Sequence, residues 1–449
     1  MRILNYSNSK DRPSIEKLIR REPLLSLQGA GSRASLTKKT FGKNLTPEQV
    51  VDRIVDDVRH KGDKALFTYT QKFDGFDINA KNIQVTPAEI KTALKQLPSA
   101  IKTAIQIAIR NVRAFHTKEK PSNWFHNGSH VASGQRWVPV DRAGLYVPGG
   151  LAAYPSSVVM NVIPAKVAGV KEVVVVTPVK KDGKVNPVVL AAAYLSGADT
   201  ILKIGGAQAI AALAYGTASV PEVDKITGPG NLFVALAKRK VFGQVGIDGF
   251  PGPSEVLILA DGTVPASWAA ADLLAQAEHD EMAMPLMATT SLNYAQEVAK
   301  EVELQLTKLK RRTIAADSIK SRGAVILVKN RKEAQDFSNR FAPEHLEILA
   351  KDAKKWLPGL KHAGAIFIGP NTAEAFGDYT AGTNHVLPTN GTARFSSGLS
   401  VFEFLKRTNL LEVKKPGLKA LGKATVDFAN EEGLTAHAQS VLFRLSKKK

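Results

Sequence analysis

The chain contains no cysteine. That absence excludes disulfides, thiolate metal ligands, iron–sulfur clusters and any mechanism in which a thiol attacks an aldehyde. A metal ion here must sit among nitrogen and oxygen ligands. Long apolar runs are missing as well. A membrane-spanning helix needs about twenty predominantly apolar residues, and the uncharged run from Ile204 to Pro221 is broken by glycines, Gln208, Tyr215 and Thr217. Met1-Arg2-Ile3-Leu4-Asn5-Tyr6 lacks the apolar core of a signal peptide. A cytoplasmic protein without a membrane partner is expected. No G-x-G-x-x-G fingerprint occurs, which argues against the usual βαβ pyrophosphate loop. Aromatic residues do not interleave with the basic clusters Lys38-Lys39, Lys308 to Arg312 and Lys447 to Lys449. The formal net charge of +20 therefore reads as a solvated surface, able to steer an anionic ligand, rather than as a nucleic-acid site.

What is present suits two or three domains with proper cores: 449 residues, 44% hydrophobic and 23% charged. Residues 1–45 are polar and broken, with Gly29-Ala30-Gly31-Ser32 in the middle, and read as an arm. Thr46-Pro47-Glu48-Gln49 and Thr86-Pro87-Ala88-Glu89 are helix starts, each with a threonine N-cap, proline at the first helical position and a side chain able to close a capping box. The chain reads as mostly helical to about residue 135. From about 137, short β-rich runs such as Val173-Val174-Val175-Val176 alternate with alanine-rich helical stretches. This alternation predicts α/β architecture with parallel sheets covered on both faces. Two such units are expected, meeting near Pro251-Gly252-Pro253, with a helical tail after about 395.

In such sheets ligands bind at the C-terminal ends of strands. The glycine clusters Tyr146-Val147-Pro148-Gly149-Gly150, Gly205-Gly206-Ala207-Gln208 and Gly228-Pro229-Gly230-Asn231 are placed there. Helix N-termini favour phosphates, so three such turns suit a nucleotide-sized ligand. Tight-turn geometry is the alternative for any single one.

Gln276-Ala277-Glu278-His279-Asp280 ends an alanine-rich helix, and Gln276 and His279, three residues apart, share a face. Each can offer a lone pair to a metal. Of the nine histidines, His60, His116, His126, His130 and His362 are expected at the surface, and His385 as a structural residue. His345 follows Glu344; an adjacent acid and imidazole supply two bases of different pKa. Asp378, in a glycine-bounded turn, and His437 are candidate ligands beside Gln276 and His279. That nitrogen and oxygen set suits zinc, with manganese or cobalt as substitutes.

These residues and their order identify a resemblance to histidinol dehydrogenase, running from about residue 46 to the C-terminus. It is dense in Gly144 to Gly169, Ile204 to Thr217, Lys225 to Asn231, Gly252 to Asp261, Asp272 to Asp280, Phe341 to Ile348 and Gly377 to Ser400. The resemblance implies Gln276, His279, Asp378 and His437 as ligands of one zinc per subunit and as substrate contacts. It implies Ser254, His345 and Glu432 as further substrate-binding positions, Glu344 and His345 as the catalytic pair, and Tyr146, Gln208 and Asn231 as NAD contacts. The implied reaction takes L-histidinol through an aldehyde to L-histidine with two NAD. The implied fold is an intertwined homodimer with two incomplete Rossmann-like domains. Residues 46–140 with 255–395 would form the first, 141–254 the NAD-binding second, and 396–449 a segment swapped to the partner. Residues 1–45 match weakly, and Gly249-Phe250-Pro251 departs from the expected run. The alternative is a paralogue oxidising another small alcohol, such as a sulfonated propanediol; Glu432 would repel a sulfonate.

Overall fold

Buried apolar runs form two separate parallel sheets in the computed structural model, which describes residues 1–21, 41, 44–149, 154–249 and 252–446. Gly29 to Ser32, Lys38-Lys39, Gly150, Phe250-Pro251 and Lys447 to Lys449 lie outside the described residues. Numbered along the chain, the strands are β1 (Arg2–Asn5), β2 (Trp124–Asn127), β3 (Val131–Pro139), β4 (Arg142–Tyr146), β5 (Glu172–Val176), β6 (Thr200–Leu202) and β7 (Lys225–Thr227). They continue with β8 (Gly246–Ile247), β9 (Glu255–Ala260), β10 (Met284–Thr289), β11 (Ala324–Leu327), β12 (His345–Leu349), β13 (Ala365–Ile368) and β14 (Leu405–Val413).

The first parallel sheet has the order β6-β5-β4-β7-β8. Strands β4 and β5 are apolar and almost wholly buried, as expected for a sheet covered on both faces. The chain leaves the centre at β4, reaches the edge at β6 and returns to β7, so a topological switch lies between β4 and β7. The second sheet has the order β1-β11-β10-β9-β12-β13, also parallel throughout. It repeats the pattern, with its switch between β9 and β12. A small antiparallel sheet, β14-β3-β2, stands apart from both.

Both expected capping boxes are present, Thr46 with Gln49 and Thr86 with Glu89. The grouping of segments differs from the sequence expectation. The helices Pro47–Lys61 and Ser99–Glu119 pack against the five-stranded sheet's helices, through Val50, Ile54 and Val58 in one cluster and Ile105 and Val112 in another. The second helix also reaches the 255–395 segment, Asn111 Nδ2 donating to the Thr380 carbonyl at 2.8 Å; sequence proximity carries no information about which face an amphipathic helix covers. The start of the presumed arm is also structured: β1 is an edge strand of the six-stranded sheet, and helix Arg12–Arg20 buries Ile15, Leu18 and Ile19 in that sheet's core. Four residues are too few for alternation to reveal a strand. Likewise β2 and β3 replace the helix expected there, and β14 precedes the helical tail.

That tail is the helix pair Lys415–Glu431 and Thr435–Leu445, packed on each other. It leaves Phe428 and Phe443 72% and 70% exposed. No helix among the described residues is long and apolar enough to cross a membrane.

Candidate active site

Residues from four separate elements meet at the N-terminal ends of β9 and β12. Glu255 opens β9, His345 opens β12, and Glu344 precedes it. All three are buried. Glu344 Oε2 accepts a hydrogen bond from the Glu255 N–H at 2.9 Å, and the Glu344 N–H donates back to Glu255 Oε2 at 3.3 Å. His345 Nδ1 lies 3.1 Å from the Glu255 carbonyl oxygen. A carbonyl only accepts, so Nδ1 carries the proton. Nε2 is then the open position: it is buried without a hydrogen-bond partner, 3.7 Å from Asp378 Oδ1.

Carboxylates surround this ring. Glu374 Oε1 stands 3.6 Å and Glu344 Oε2 3.7 Å from Nδ1. Burial disfavours the imidazolium, but Glu374, Glu344 and Asp378 outweigh it and hold His345 well above its ordinary range. Burial pushes Glu344 up to about 8, with His345 pulling the other way. Glu374 rises to about 7 by burial, and Asp272 to about 6. Asp272 lies against Glu347, whose carboxyl burial and neighbouring acids hold well above the usual range. For Asp378, burial raises the pKa, but His345, His385 and His279 outweigh it and hold the carboxyl low.

The candidate metal ligands divide. Ligand atoms of His279, Glu374 and Asp378 lie within 4.8 Å of one another. Gln276 is fully buried next to them. With its amide nitrogen turned inward, it donates to Glu374 Oε1 at 3.1 Å and to the Glu255 carbonyl at 3.2 Å. Both amide protons are then used, leaving the carbonyl oxygen as the polar atom still free to bind a cation. His279 keeps an exposed edge, yet desolvation and His345 lower its proton affinity, which suits a neutral ligand. The donor chemistry fits a borderline or hard divalent cation. Two local expectations change. The helix ends at Ala277, so His279 lies two residues beyond it, its N–H bonded to the Gln276 carbonyl at 3.2 Å. Asp378 sits in the short helix Glu374–Tyr379 rather than in a turn.

Glu432 and His437 are not in this cluster. Both line an exposed groove of the C-terminal helix pair, with Phe428 and Leu421. Ser254 is adjacent, immediately before β9. Sequence reasoning missed Glu374, Glu347 and Asp272. Spacing held a signal: Glu374 and Asp378, like Asp272 and Gln276, are four apart on a helix and so share a face. His116, expected at the surface, is buried between Glu119, at 2.6 Å, and Asn384. His385 is a structural residue, its Nδ1 donating to the Asp378 carbonyl at 3.0 Å and its Nε2 3.4 Å from Ser157 Oγ.

Ser157 belongs to the helix that follows β4, so this contact ties the cluster to the other sheet. The glycine turns lie there, at the C-terminal rim. Tyr146 ends β4, and its hydroxyl accepts from the Gly206 N–H at 3.2 Å; burial pushes that phenol up to about 12. Gln208 is buried with Oε1 unpartnered. Asn231 Oδ1 caps the helix Leu232–Val241 by accepting from Phe233 and Val234. Gly228 has φ +108°, and a Cβ there would stand 2.1 Å from the Tyr146 carbonyl oxygen, so only glycine lets β4 and β7 approach at the switch.

A doubly wound sheet with glycine turns at its switch point, joined to a second sheet bearing a buried acid–base cluster, suits an enzyme that binds a nucleotide and moves protons. The histidinol dehydrogenase family model matches residues 38–445. The chain is 49% identical over 420 residues to the histidinol dehydrogenase of Neisseria gonorrhoeae, covering 93% of this chain and 97% of that one. It is 51% identical over 399 residues to that of Syntrophotalea carbinolica, covering 89% and 92%. The crystal structure of histidinol dehydrogenase from Elizabethkingia anophelis is similar with a TM-score of 0.90 at 35% identity, covering 99% of this chain and 98% of that one. The chain belongs to the histidinol dehydrogenase family.

Proposed function

We propose that the protein oxidises L-histidinol through L-histidinal to L-histidine, the last steps of histidine biosynthesis, in two hydride transfers to NAD⁺. The observation that carries this reading is the pairing of two differently held bases. His345 has Nδ1 tied to the Glu255 carbonyl and Nε2 open, while Glu344 is buried beside it with a raised pKa. In the first oxidation His345 in its neutral form, which the surrounding carboxylates disfavour, accepts the hydroxyl proton at Nε2 as hydride leaves the carbinol carbon. Glu344, in its carboxylate form, then takes a proton from water as that water adds to the aldehyde, while His345 returns its proton to the carbonyl oxygen to give the diol. His345 serves again as base when the resulting diol loses its second hydride. Burial excludes bulk water between the steps, protecting a reactive amino-aldehyde.

The site residues support zinc and NAD. Gln276, His279 and Asp378 would hold the metal, with Glu374 fixing the glutamine amide; a bound zinc would supply a grip on the substrate's imidazole and amine nitrogens. Tyr146, Gln208 and Asn231, at the rim of the five-stranded sheet, would hold NAD, the hydride acceptor. The surrounding carboxylates favour a cationic amine over a sulfonate, which supports histidinol over the propanediol alternative. Glu432 and His437 would complete the site of a second copy, their exposed helix pair reaching across a homodimer. A cytoplasmic location without nucleic-acid partners accords with this role.

NADH counting with limiting L-histidinol and added zinc tests the reading. About two NADH per histidinol is expected for a four-electron oxidation. One, or none, overturns it.

A further inference from the structure

Glu255 is the residue on which the catalytic loop hangs, and it is itself a buried charge. Its carboxylate accepts three hydrogen bonds and makes one further ion contact. Oε1 accepts from the Asn390 N–H at 3.1 Å and lies 2.6 Å from Arg21 Nε as an ion pair. Oε2 takes Arg21 Nη2 at 2.8 Å and the Glu344 N–H at 3.3 Å. Arg21 is as buried as its partner, with side-chain exposures of 3% and 1%. It sits just past helix Arg12–Arg20 with φ +48°, so the N-terminal segment bends in order to deliver it. Its guanidinium also lies 4.0 Å from the centre of the Phe341 ring, at the end of the helix that leads into Pro343-Glu344. Arg21 therefore grips both ends of the stretch from Phe341 to Glu344: one by stacking, the other through Glu255. It precedes the span matched by the family model, which begins at residue 38.

We propose that Arg21 is a positioning residue for the second oxidation, acting through Glu255 to aim Glu344. The two catalytic groups depend on Glu255 differently. His345 is held by its backbone carbonyl, which a side-chain change leaves in place. Glu344 has a second tie: its carboxylate accepts from the Glu255 backbone N–H, but its own backbone N–H is held by the Glu255 side chain, which needs the guanidinium to stay in register. A planar fork spans both carboxylate oxygens; a lysine ammonium cannot. Loss of Arg21 should therefore slow the Glu344-dependent step while sparing the His345-dependent one.

This inference rests on the proposed two-step reaction, and its test separates the two. Arg21→Met and Arg21→Lys are assayed against wild type with zinc and NAD⁺. Single-turnover hydride transfer from L-histidinol is compared with kcat for added L-histidinal, and thermal melting is recorded alongside. The expected result is a split: aldehyde oxidation falls about tenfold or more in Arg21→Met, less in Arg21→Lys, while the first hydride transfer changes by less than about threefold. NADH yield per histidinol drops toward one as aldehyde escapes. Equal loss of both steps in both variants, or no loss in either, overturns the proposal. Should Arg21→Met fail to fold, Arg21→Lys, which keeps the charge, decides it by the same split. Wild type yielding about two NADH beside unsplit variants faults only Arg21. Wild type yielding one or none overturns both readings.

Discussion

In the five-stranded sheet the chain runs outward from β4 and returns to β7; in the six-stranded sheet it runs outward from β9 and returns to β12. Two sheets of one winding order thus present two switch points. They are used at opposite ends. Glycine turns crowd the C-terminal rim beside Tyr146, where helix N-termini meet strand ends. The acid–base cluster gathers at the N-terminal ends of β9 and β12, where Glu255 and His345 are the first strand residues. The first rim is made largely of backbone and suits a ligand recognised by its phosphates. The second is made of side chains packed so closely that burial raises the pKa of Glu344, Glu347, Glu374 and Asp272 together, with repulsion from neighbouring acids adding to it at the three glutamates. Winding order sets where a crevice opens; the residues placed at its edge decide whether it binds or reacts.

The sharpest test of this division concerns completeness. The catalytic rim is proposed to need the partner's tail, whereas the glycine rim is built from one chain. Single His279→Ala and His437→Ala substitutions should each lower activity about a hundredfold or more, as losses at a metal site do. Mixing the two inactive proteins should restore about a quarter of wild-type activity, because half the dimers are mixed and one of their two sites is intact. No recovery after verified subunit exchange would make the catalytic rim self-contained.

A smaller effect distinguishes the two bases within the catalytic rim. Glu344, the proposed second base, would act only when ionised, and its raised pKa means that the carboxylate form grows as pH passes about 8. Oxidation of added L-histidinal should therefore rise with pH and level off above that point. In Glu344→Gln the step should fall about a hundredfold and lose this rise. A profile that rises unchanged in the variant would assign the ionisation elsewhere. The smallest effect is expected at the other rim. Tyr146→Phe removes the acceptor for the Gly206 N–H, a loss of about 1 kcal/mol. KM for NAD should rise about fivefold with kcat unchanged. A fall in kcat instead would mean that the phenol takes part in chemistry, and the division between a binding rim and a reacting rim would break.

Periodicity and composition determined much on their own. The continuous valines of β5 and the alternation after residue 137 specified parallel sheets, because a strand buried on both faces has no polar positions. The capping boxes at Thr46 and Thr86 located helix starts, since they are local hydrogen-bond patterns a few residues long. The lack of cysteine restricted any metal to nitrogen and oxygen ligands. Gln276, His279, Glu344, His345 and Asp378 could be picked out because their types and local neighbours carry chemistry. Only the tertiary structure decided what surrounds them. Glu374, Glu347 and Asp272 look like ordinary surface acids in sequence, and they matter because folding sets Glu374 beside the His345 imidazole and packs Glu347 and Asp272 behind it. Arg21 and Glu255 are 234 positions apart, and no period or motif links a residue after one helix to the first residue of a distant strand. Local patterns report backbone conformation, which neighbours along the chain govern; pKa, proton placement and the clamp on Glu344 arise from charges that only the folded chain brings within a few ångströms.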